Sequence, residues 1–466
     1  MGTNGFSAGG HQTDLGLPAH NLLELSSKLK SMMGSLRQWS KEHFGFVTKE
    51  LEQAKTELEQ LLMQDPVGNQ VAIKHIQYKM DELLYREEMM WLQRSRISWL
   101  WEGDRNTNFF HRKAAWCAKK NKIRRLKAED GRYIENKKEM EEMATTFFKN
   151  LYTRDETICP EPLLDMIQNK VNGNMNDALC KPFTDDEISD ALFQIGPLKA
   201  PGPDGFPARF FQRNWEVLRE EVIGAVRNFF DEGVMPEGVN NTSIVLIPKK
   251  DKPDELKDFR PISLCNVIYK IVSKCLANRI RPFLQEFISP TQSAFIPGRL
   301  ITDNTLLAFE CVHAIQRTNG ERNNFCAYKL DLSKAYDRVD WHNLQGIMQK
   351  LGFAEQWIHW TMSCITLVRY SVCFNGVLLD SFAPSRGLRQ GDPLSPYLFL
   401  FVAEGLSSIL NNYVERHELE EIKICRRAPG VSHLLFADDS LLFFKANGQQ
   451  AEKIKEAIKM FEQCIG

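Results

Sequence analysis

The stretch H-L-L-F-A-D-D-S-L-L-F-F (residues 433–444) decides the fold of this 466-residue chain. It places two adjacent carboxylates, Asp438 and Asp439, between two apolar runs, and this pattern predicts a tight β-hairpin with the acids at its tip. Two like charges held side by side repel each other, and a divalent cation that prefers hard oxygen ligands, such as Mg²⁺, relieves the repulsion. An isolated Asp-Asp pair is more often part of a turn than of a site, so the pair needs support from elsewhere. His433 is predicted to be a strand residue that faces out or is satisfied in the core, and not a metal ligand.

A third carboxylate, Asp331, lies near the end of the apolar run F-C-A-Y-K-L-D-L (residues 325–332), which predicts a buried strand. An acid in so apolar a run is costly unless a cation meets it. If this strand lies beside the hairpin, the three aspartates converge on two metal ions about 3.5–4 Å apart, the arrangement that supports in-line nucleotidyl transfer. A calcium loop of the EF-hand type is excluded, because Tyr336 and His342 stand where that loop needs Gly and Glu.

The composition is that of a large globular protein. Hydrophobic residues make up 43% of the chain and charged residues 26%, enough for two or three structural units. The eleven cysteines stand singly, which indicates reduced thiols rather than a disulfide framework or a zinc module. No apolar run approaches the roughly 20 residues that span a bilayer, and the N-terminus does not have the pattern of a signal peptide. We therefore expect an intracellular protein of the nucleus or cytoplasm, without membrane contact.

Residues 1–95 are predicted to be a helical arm. Pro and Gly are scarce after residue 22, apolar residues recur at spacings of three and four, and a turn is predicted at residues 65–69. Such helices pair as a hairpin or coiled coil and could support self-association, although a solvated spacer is the simpler interpretation.

Residues 96–180 are predicted to be a basic linker region. Its centre reads R-K-A-A-W-C-A-K-K-N-K-I-R-R-L-K (residues 112–127), with four cations near Trp116: Lys119, Lys120, Arg124 and Arg125. Cations beside an aromatic ring suit a nucleic-acid backbone, since each neutralised phosphate releases counterions. The formal net charge of −1 offers no general attraction, so binding would depend on such local patches. A solvated charged face is the alternative.

After Pro182 the chain alternates Pro/Gly-rich loops, short apolar strands and amphipathic helices, so residues 181–466 are predicted to be a separate α+β domain. The spacing predicts a strand over 244–247 and helices over 262–288, 397–410 and 449–464. Two short apolar runs around Asn375-Gly376 predict a hairpin with a type I′ turn.

Seven motifs occur in order: L-K-A-P-G-P-D-G-F-P (198–207), I-P-K-K (247–250), F-R-P-I-S-L (259–264), Q-S-A-F-I-P-G-R (292–299), D-L-S-K-A-Y-D-R-V-D-W (331–341), G-L-R-Q-G-D-P-L-S-P-Y-L-F (387–399) and F-A-D-D (436–439). Together they resemble the reverse transcriptase domain of LINE-type, non-LTR retrotransposons, especially those of plants. The resemblance covers more than half of the chain.

This resemblance implies the fingers and palm of a right-hand polymerase, with an antiparallel palm sheet. It also implies an RNA-directed DNA polymerase that adds deoxynucleotides (dNTPs) to the 3′-hydroxyl of a DNA primer on an RNA template, with Mg²⁺ or alternatively Mn²⁺. Members of the family continue with a primer-gripping hairpin and a thumb, so we expect a C-terminally truncated product in which the thumb is missing. A catalytically inert nucleic-acid-binding remnant is therefore the alternative function.

The resemblance also implies roles for the three aspartates. Asp331 and Asp438 would be catalytic metal ligands, and Asp439 a more peripheral one. Tyr336 would stack under the incoming sugar and exclude a 2′-hydroxyl. Asp337, directly after it, and Asp340 are predicted to be ordinary acids at the start of a helix.

Three more residues are implied to bind the nucleotide. Arg260 and Lys249 would contact the triphosphate, the first as a fork and the second as a point charge. Gln390 would lie near the 3′ end of the nucleotide. Gly387 and Gly391 would allow the close approach of its loop.

Overall fold

The computed structural model describes residues 19–43, 47–65, 68–95, 107–155, 161–317 and 324–465. These ranges mix helices with two β-sheets and a short β-ribbon, which confirms the α+β class. None of the described helices has both the length and the apolar composition that crossing a bilayer requires.

The N-terminal part is helical. Its helices are α1 (Leu22–His43), α2 (Val47–Gln64), α3 (Gln70–Ser95) and α4 (Thr107–Asn121). Helices α2 and α3 share a small apolar cluster of their own, formed by Leu51, Ala54, Ile76 and Leu83. The turn predicted between them lies partly outside the described residues, but Asp65 accepts a hydrogen bond from the Gly68 amide (3.0 Å), as a turn residue does.

The middle of the chain contains a two-stranded ribbon and six helices. These are β1 (Leu126–Lys127), β2 (Tyr133–Ile134), α5 (Lys137–Leu151), α6 (Glu161–Leu164), α7 (Gly173–Cys180), α8 (Asp185–Phe193), α9 (Ala208–Arg213) and α10 (Trp215–Glu232). Helix α8 begins at a capping box between Thr184 and Glu187, and α10 ends at Gly233, whose φ is +71°.

One hydrophobic core crosses the domain boundaries predicted from the sequence. Leu25 of α1, Phe148 of α5 and Cys464 near the end of the chain all belong to the same buried cluster. An ion pair between Lys28 and Glu221 (2.9 Å) further joins α1 to α10. The same buried cluster therefore continues on both sides of residue 180. The division into domains stays a prediction.

The remaining elements carry the seven motifs. The strands are β3 (Thr242–Pro248), β4 (Phe259–Cys265), β5 (Phe325–Asp331), β6 (Tyr370–Phe374), β7 (Val377–Phe382), β8 (His433–Phe436) and β9 (Asp439–Lys445). The helices are α11 (Val267–Ile280), α12 (Leu284–Phe287), α13 (Ile301–Arg317), α14 (Ala335–Arg338), α15 (Trp341–Leu351), α16 (Glu355–Thr366), α17 (Ser395–Glu415) and α18 (Gly448–Ile465).

The strands form two sheets. The first has the order β4-β3-β6-β7, in which β3 and β6 are parallel and the other pairs antiparallel. The second is antiparallel with the order β5-β9-β8. At the β6–β7 turn, Asn375 and Gly376 have φ values of +49° and +88°, the positive values that a type I′ turn requires.

Two local predictions were wrong. The helix predicted from residue 262 begins only at Val267, because residues 259–265 pair with β3 and this pairing overrides the helical spacing. Strand β5 was predicted to be buried, yet Tyr328 and Lys329 are exposed. Strand β5 is an edge strand of its sheet, and the other described residues bury only part of its surface.

Candidate active site

The antiparallel β5-β9-β8 sheet brings the predicted acids to one end. Asp331, the last residue of β5, lies opposite Asp439, the first residue of β9. Only Ala437 and Asp438 connect β8 to β9, so Asp438 occupies the tip of the hairpin. Ala437 has a φ of +53°, a left-handed conformation that costs a residue with a Cβ roughly 1–2 kcal/mol. Surrounding contacts must therefore hold this turn.

Gln292 supplies such a contact. Its side-chain carbonyl accepts hydrogen bonds from the backbone amides of Ala437 (3.1 Å) and Ala294 (2.9 Å), and the residue is almost completely buried. The neighbouring Thr291 carbonyl accepts a hydrogen bond from the Leu435 amide (2.9 Å). The start of the Q-S-A-F motif thus backs the turn that carries Asp438. Sequence reasoning quoted this motif without finding that role.

Arg299, the last residue of the same motif, holds the segment in place. Its guanidinium donates hydrogen bonds to the carbonyls of Ser289 and Gln292 (2.7 Å each) and of Ile288 (3.0 Å). A planar cation with five donors suits several convergent carbonyls. The motif therefore has both its ends in one hydrogen-bonded unit.

A cavity of about 520 Å³ lies beside the hairpin tip. Its charged and polar lining consists of the acids Asp331, Asp337 and Asp438, the cations Lys249, Arg260, Lys334 and Arg389, and the polar residues Ser333, Tyr336 and Gln390. Six of the seven residues predicted for catalysis or nucleotide binding therefore meet at one cavity. Asp439 does not line it. Its carboxylate pairs with Lys329 (3.1 Å) along a separate, more apolar groove.

The acids of the cavity fit a metal ion that is shared with a ligand. Among the described residues, no three His, Cys, Asp or Glu side chains lie close enough together to hold an ion by themselves. Mg²⁺, however, commonly takes only one or two carboxylates and completes its shell with water and substrate phosphates. Asp331 and Asp438 are a donor set of this kind.

The cations Lys249 and Arg260 come from adjacent strands. Arg260 in β4 pairs with Ile247 in β3, and Lys249 follows the end of β3, so both lie at the same end of these two neighbouring strands. Both side chains are exposed, and within the described part of the chain neither makes an ion pair. Both are therefore available to an anionic ligand.

Tyr336 forms a fixed wall of the cavity. Its ring stacks on Phe399, with ring centroids 4.7 Å apart and planes 15° apart. Its carbonyl accepts a hydrogen bond from the Leu388 amide (2.7 Å). Burial raises the pKa of its hydroxyl, and the nearby charge of Asp438 adds to the effect. The ring is thus neutral and packed against Phe399, while the hydrogen bond from Leu388 fixes the backbone of Tyr336.

Asp337 is the cavity residue that sequence reasoning missed. Asp337 and Asp340 were both predicted to be acids at the start of a helix, and both do stand there: Asp337 lies in the first turn of α14, and Asp340 caps α15 by accepting from the Asn343 amide (2.8 Å). Asp337 is in addition buried, and it accepts hydrogen bonds from the Tyr152 hydroxyl (2.9 Å) and from Gln390 Nε2 (3.2 Å). Burial raises the pKa of its carboxyl group to about 6, although both hydrogen bonds oppose the rise.

A buried ion pair fixes the loop that carries Gln390. Arg389 and Asp392 lie 3.3 Å apart with almost no exposure, and Asp392 also accepts a hydrogen bond from the Tyr269 hydroxyl (2.5 Å). The Gln390 carbonyl accepts from the Ser263 amide (2.9 Å), which ties the loop to β4. The backbone of Gln390 is therefore held from both sides.

The backbone at the start of this loop requires a glycine at position 387. Its φ is +96°, and a Cβ there would lie 2.7 Å from the Asp337 carbonyl oxygen. Gly391 has a φ of +111°, which also disfavours any residue with a Cβ. A close backbone approach is therefore seen at Gly387, whereas at Gly391 the nearest atom would lie 3.4 Å away and the positive φ is the reason for glycine.

The basic stretch lies on α4 and the segment after it. Lys120 pairs with Asp251 (2.8 Å) and Arg125 with Asp254 (3.5 Å), both in the loop between β3 and β4. The ammonium groups of Lys113 and Lys120 lie 4.9 and 5.0 Å from the centroid of the Trp116 ring. Lys119 and Arg124 are exposed. Phosphate contact by these four cations stays a prediction, since two of them already have acidic partners.

His433 lies in the core, one of the two positions predicted for it. It is buried, and its ring nitrogens bond to the hydroxyls of Thr291 (3.0 Å), Ser407 (3.0 Å) and Ser432 (2.9 Å). Burial lowers the pKa of the ring to about 4, so it is neutral at physiological pH.

Residues 247–466 match the family model described as "Reverse transcriptase (RNA-dependent DNA polymerase)". The chain is 32% identical over 330 residues to the "Transposon TX1 uncharacterized 149 kDa protein" of Xenopus laevis, which is 70% of this chain and 25% of that protein. It is 26% identical over 245 residues to the "Retrovirus-related Pol polyprotein from type-2 retrotransposable element R2DM" of Drosophila melanogaster, which is 52% of this chain and 22% of that polyprotein. A shorter match, 45% over 78 residues, relates it to the "Uncharacterized mitochondrial protein AtMg01250" of Arabidopsis thaliana and covers 64% of that protein. The chain thus spans a quarter or less of the two longer relatives.

Proposed function

We propose that this chain, which carries a reverse transcriptase domain of the non-LTR retrotransposon type, is an RNA-directed DNA polymerase that uses the cavity beside Asp438 as its nucleotidyl-transfer site. The observation that carries the proposal is the meeting of six predicted residues at one cavity. They come from five separate sequence motifs, and local turn chemistry does not require them to lie together.

In this proposal the two sheets have different tasks. The β5-β9-β8 sheet is the palm, and its Asp331 and Asp438 hold the metal. The β4-β3-β6-β7 sheet belongs to the fingers, and its Arg260 and Lys249 bind the triphosphate. A guanidinium fork and a lysine at the same end of two neighbouring strands match the several oxygens and high negative charge of a triphosphate.

Asp331 and Asp438 would hold a divalent metal, which when bound would supply positive charge against the triphosphate and lower the pKa of the primer 3′-hydroxyl. The protein's own contribution is position and charge, since phosphoryl transfer leaves little covalent chemistry to side chains. Tyr336, held by Phe399, gives a rigid surface under the sugar. A rigid ring excludes the extra 2′-hydroxyl of a ribonucleotide, so the site would select deoxynucleotides.

A primer-extension assay tests the proposal. The chain is incubated with a DNA primer annealed to an RNA template, dNTPs and Mg²⁺, and we expect extension that stops when the metal is chelated. Asp438→Asn should reduce the rate more than about 100-fold, because it removes charge where the transition state needs it. Asp380→Asn, a change of an exposed carboxylate on β7, is the matched control and should leave the rate unchanged.

Extension by Asp438→Asn at the rate of the control would refute the site. Salt-dependent RNA binding without extension at any Mg²⁺ concentration would instead favour the alternative of an inert nucleic-acid binder.

A further inference from the structure

We propose that the outer face of helix α3 pairs with the same face of a second copy of this chain, with the two helices antiparallel. The face consists of Val71, Tyr78 and Tyr85, which we call the outer stripe. The inference does not depend on the proposed nucleotidyl-transfer site. It concerns the helical arm, for which self-association was one of two interpretations of the sequence.

The outer stripe follows from a spacing of seven residues. Seven residues make almost two turns of a helix, with a drift of about 20°, so Val71, Tyr78 and Tyr85 lie on one face of α3. The stripe is about 21 Å long, from the helical rise of ~1.5 Å per residue. Its three side chains are 85%, 76% and 55% exposed, in chain order. A row of large apolar side chains along one helix face is typical of a surface that packs against another helix.

The other side of α3 already has a partner. Ile76 and Leu83, also seven residues apart, are buried in the cluster that α3 shares with α2. Each stands five residues after a member of the outer stripe, and therefore about 140° around the helix from it. The contact with α2 thus leaves the outer stripe at the surface.

The charged residues beside the outer stripe change sign along the helix. The basic side chains Lys74 and His75 flank its first half, and the acidic side chains Asp81 and Glu82 flank its second half; all four are exposed. Lys74 and Asp81 lie on one side of the stripe, and His75 and Glu82 lie on the other, because each pair is seven residues apart. A second copy that runs in the opposite direction therefore has complementary charges.

A two-fold axis at Tyr78 gives the apolar contacts of the pair. Tyr78 then meets Tyr78 of the second copy, and Val71 meets Tyr85 of the second copy, seven residues to either side. Aromatic side chains bury at most about 250 Å² each, so three side chains per copy stay near or below the roughly 1,200 Å² that stable complexes bury. The dimer is therefore expected to be weak and to depend on concentration.

The same axis gives the charge contacts. Lys74 comes beside Asp81 of the second copy, and His75 comes beside its Glu82. In a parallel pair, Asp81 would instead lie beside Glu82 of the second copy, and these like charges would repel each other. Glu82 also pairs with Arg86 of its own helix, so the contact between Lys74 and Asp81 contributes most of the preference for the antiparallel direction.

Sedimentation equilibrium of the full chain tests the inference, at concentrations from about 1 to 300 µM, which cover micromolar dissociation constants. We expect an equilibrium between monomer and dimer. Tyr78→Lys brings two ammonium groups together on the two-fold axis and should raise the dissociation constant at least about tenfold. Phe309→Lys is the matched control, since Phe309 is a 69% exposed aromatic residue on α13, and it should leave the dissociation constant unchanged.

Charge reversal tests the direction of the pair. In Lys74→Glu alone and in Asp81→Lys alone, like charges meet at both symmetric contacts, so each variant should dimerise about fivefold to thirtyfold more weakly. An equimolar mixture of the two variants should form a heterodimer with about the affinity of the unaltered chain, because every contact then joins opposite charges again. A parallel pair predicts the reverse for Asp81→Lys, which would dimerise more tightly through Glu82.

A chain that stays monomeric over the whole range would overturn the inference. A dimer that Phe309→Lys disrupts and Tyr78→Lys does not would also overturn it, as would a dimer that Asp81→Lys strengthens or a mixture that does not restore the affinity. If Asp81→Lys fails to fold, Lys74→Glu and Tyr78→Lys decide the question. Weaker dimerisation of both would then support the inference, and unchanged dimerisation of either would overturn it.

Discussion

Asp337→Asn is expected to make the chain more stable at neutral pH, although it replaces a hydrogen-bonded side chain. The carboxyl group has a pKa of about 6 in the folded chain against the ordinary value of 3.8. A difference of this size corresponds to about 3 kcal/mol of unfolding free energy, since each pKa unit is worth about 1.4 kcal/mol. The asparagine keeps an acceptor for the Tyr152 hydroxyl but carries no charge that burial can penalise.

The sign follows from proton binding. Between the two pKa values the folded chain binds more protons than the unfolded chain, so the contribution of Asp337 to stability falls as the pH rises. The penalty is almost absent below about pH 3.8, grows through about pH 6 and is complete above it. The advantage of the variant should therefore be about 3 kcal/mol near pH 7.5 and about half of that near pH 5.

Urea denaturation at both pH values measures this difference through the transition midpoints. Asp380→Asn, at an exposed position, serves as the control and should change the unfolding free energy by less than about 0.5 kcal/mol. Equal stability of Asp337→Asn and the unaltered chain near pH 7.5, or a gain that is the same at both pH values, would refute the reasoning. The expected outcome means that the buried Asp337 carboxylate costs stability at neutral pH, although the Tyr152 hydroxyl and Gln390 Nε2 both donate hydrogen bonds to it.

Three further changes test other parts of the site. Asp392→Asn leaves the Arg389 guanidinium buried without an ionised partner, so it should lower the free energy of unfolding by about 3–5 kcal/mol in urea denaturation. Glu452→Gln, in an exposed ion pair, is the control and should lower it by less than about 1 kcal/mol. Similar losses in both variants would contradict the importance of the buried pair. Gln292→Ala removes the acceptor for the Ala437 amide at the hairpin turn. The rate of dNTP incorporation should fall about tenfold, which is a barrier change of about 1.4 kcal/mol, with little change in KM. A change confined to KM would argue against a role of Gln292 at the turn. Arg260→Lys keeps the charge but loses the fork, so KM for dNTPs should rise about tenfold in steady-state kinetics, and an unchanged KM would remove this residue from the triphosphate site.

The hairpin, its acidic tip and the late helix could be predicted from the sequence because each has a local signal. Two short apolar runs joined by two residues favour a hairpin strongly, which here is β8 and β9. Alternation of side chains along β5 and β9 then sets the register that places Asp331 opposite Asp439. The type I′ turn at Asn375-Gly376 is predictable for the same reason, since few other residue pairs accept positive φ twice.

The roles of Asp337 and Gln292 had no such signal. Asp337 stands where an acid commonly begins a helix, and only the packing of Tyr152 and Gln390, both distant in sequence, turns it toward the cavity. Gln292 acts on a turn that lies 145 residues further along the chain. The helical spacing after residue 262 was misleading because pairing with β3 determines that segment.

The separation of Asp438 from Asp439 also required the structure. Neighbouring residues at a hairpin tip can point in different directions, and here one lines the cavity while the other pairs with Lys329. Sequence reasoning ranked Asp439 as the more peripheral acid, and its place as a metal ligand stays a prediction.

Asp331 and Asp438 are proposed to act together as one site. Single-turnover incorporation of one deoxynucleotide on a primed RNA template should be measured for Asp331→Asn, Asp438→Asn and the double variant. Residues that act as a unit give strongly non-additive losses, so each single change should cost about as much as both together. Losses that multiply in the double variant, or incorporation that survives either single change, would contradict the account.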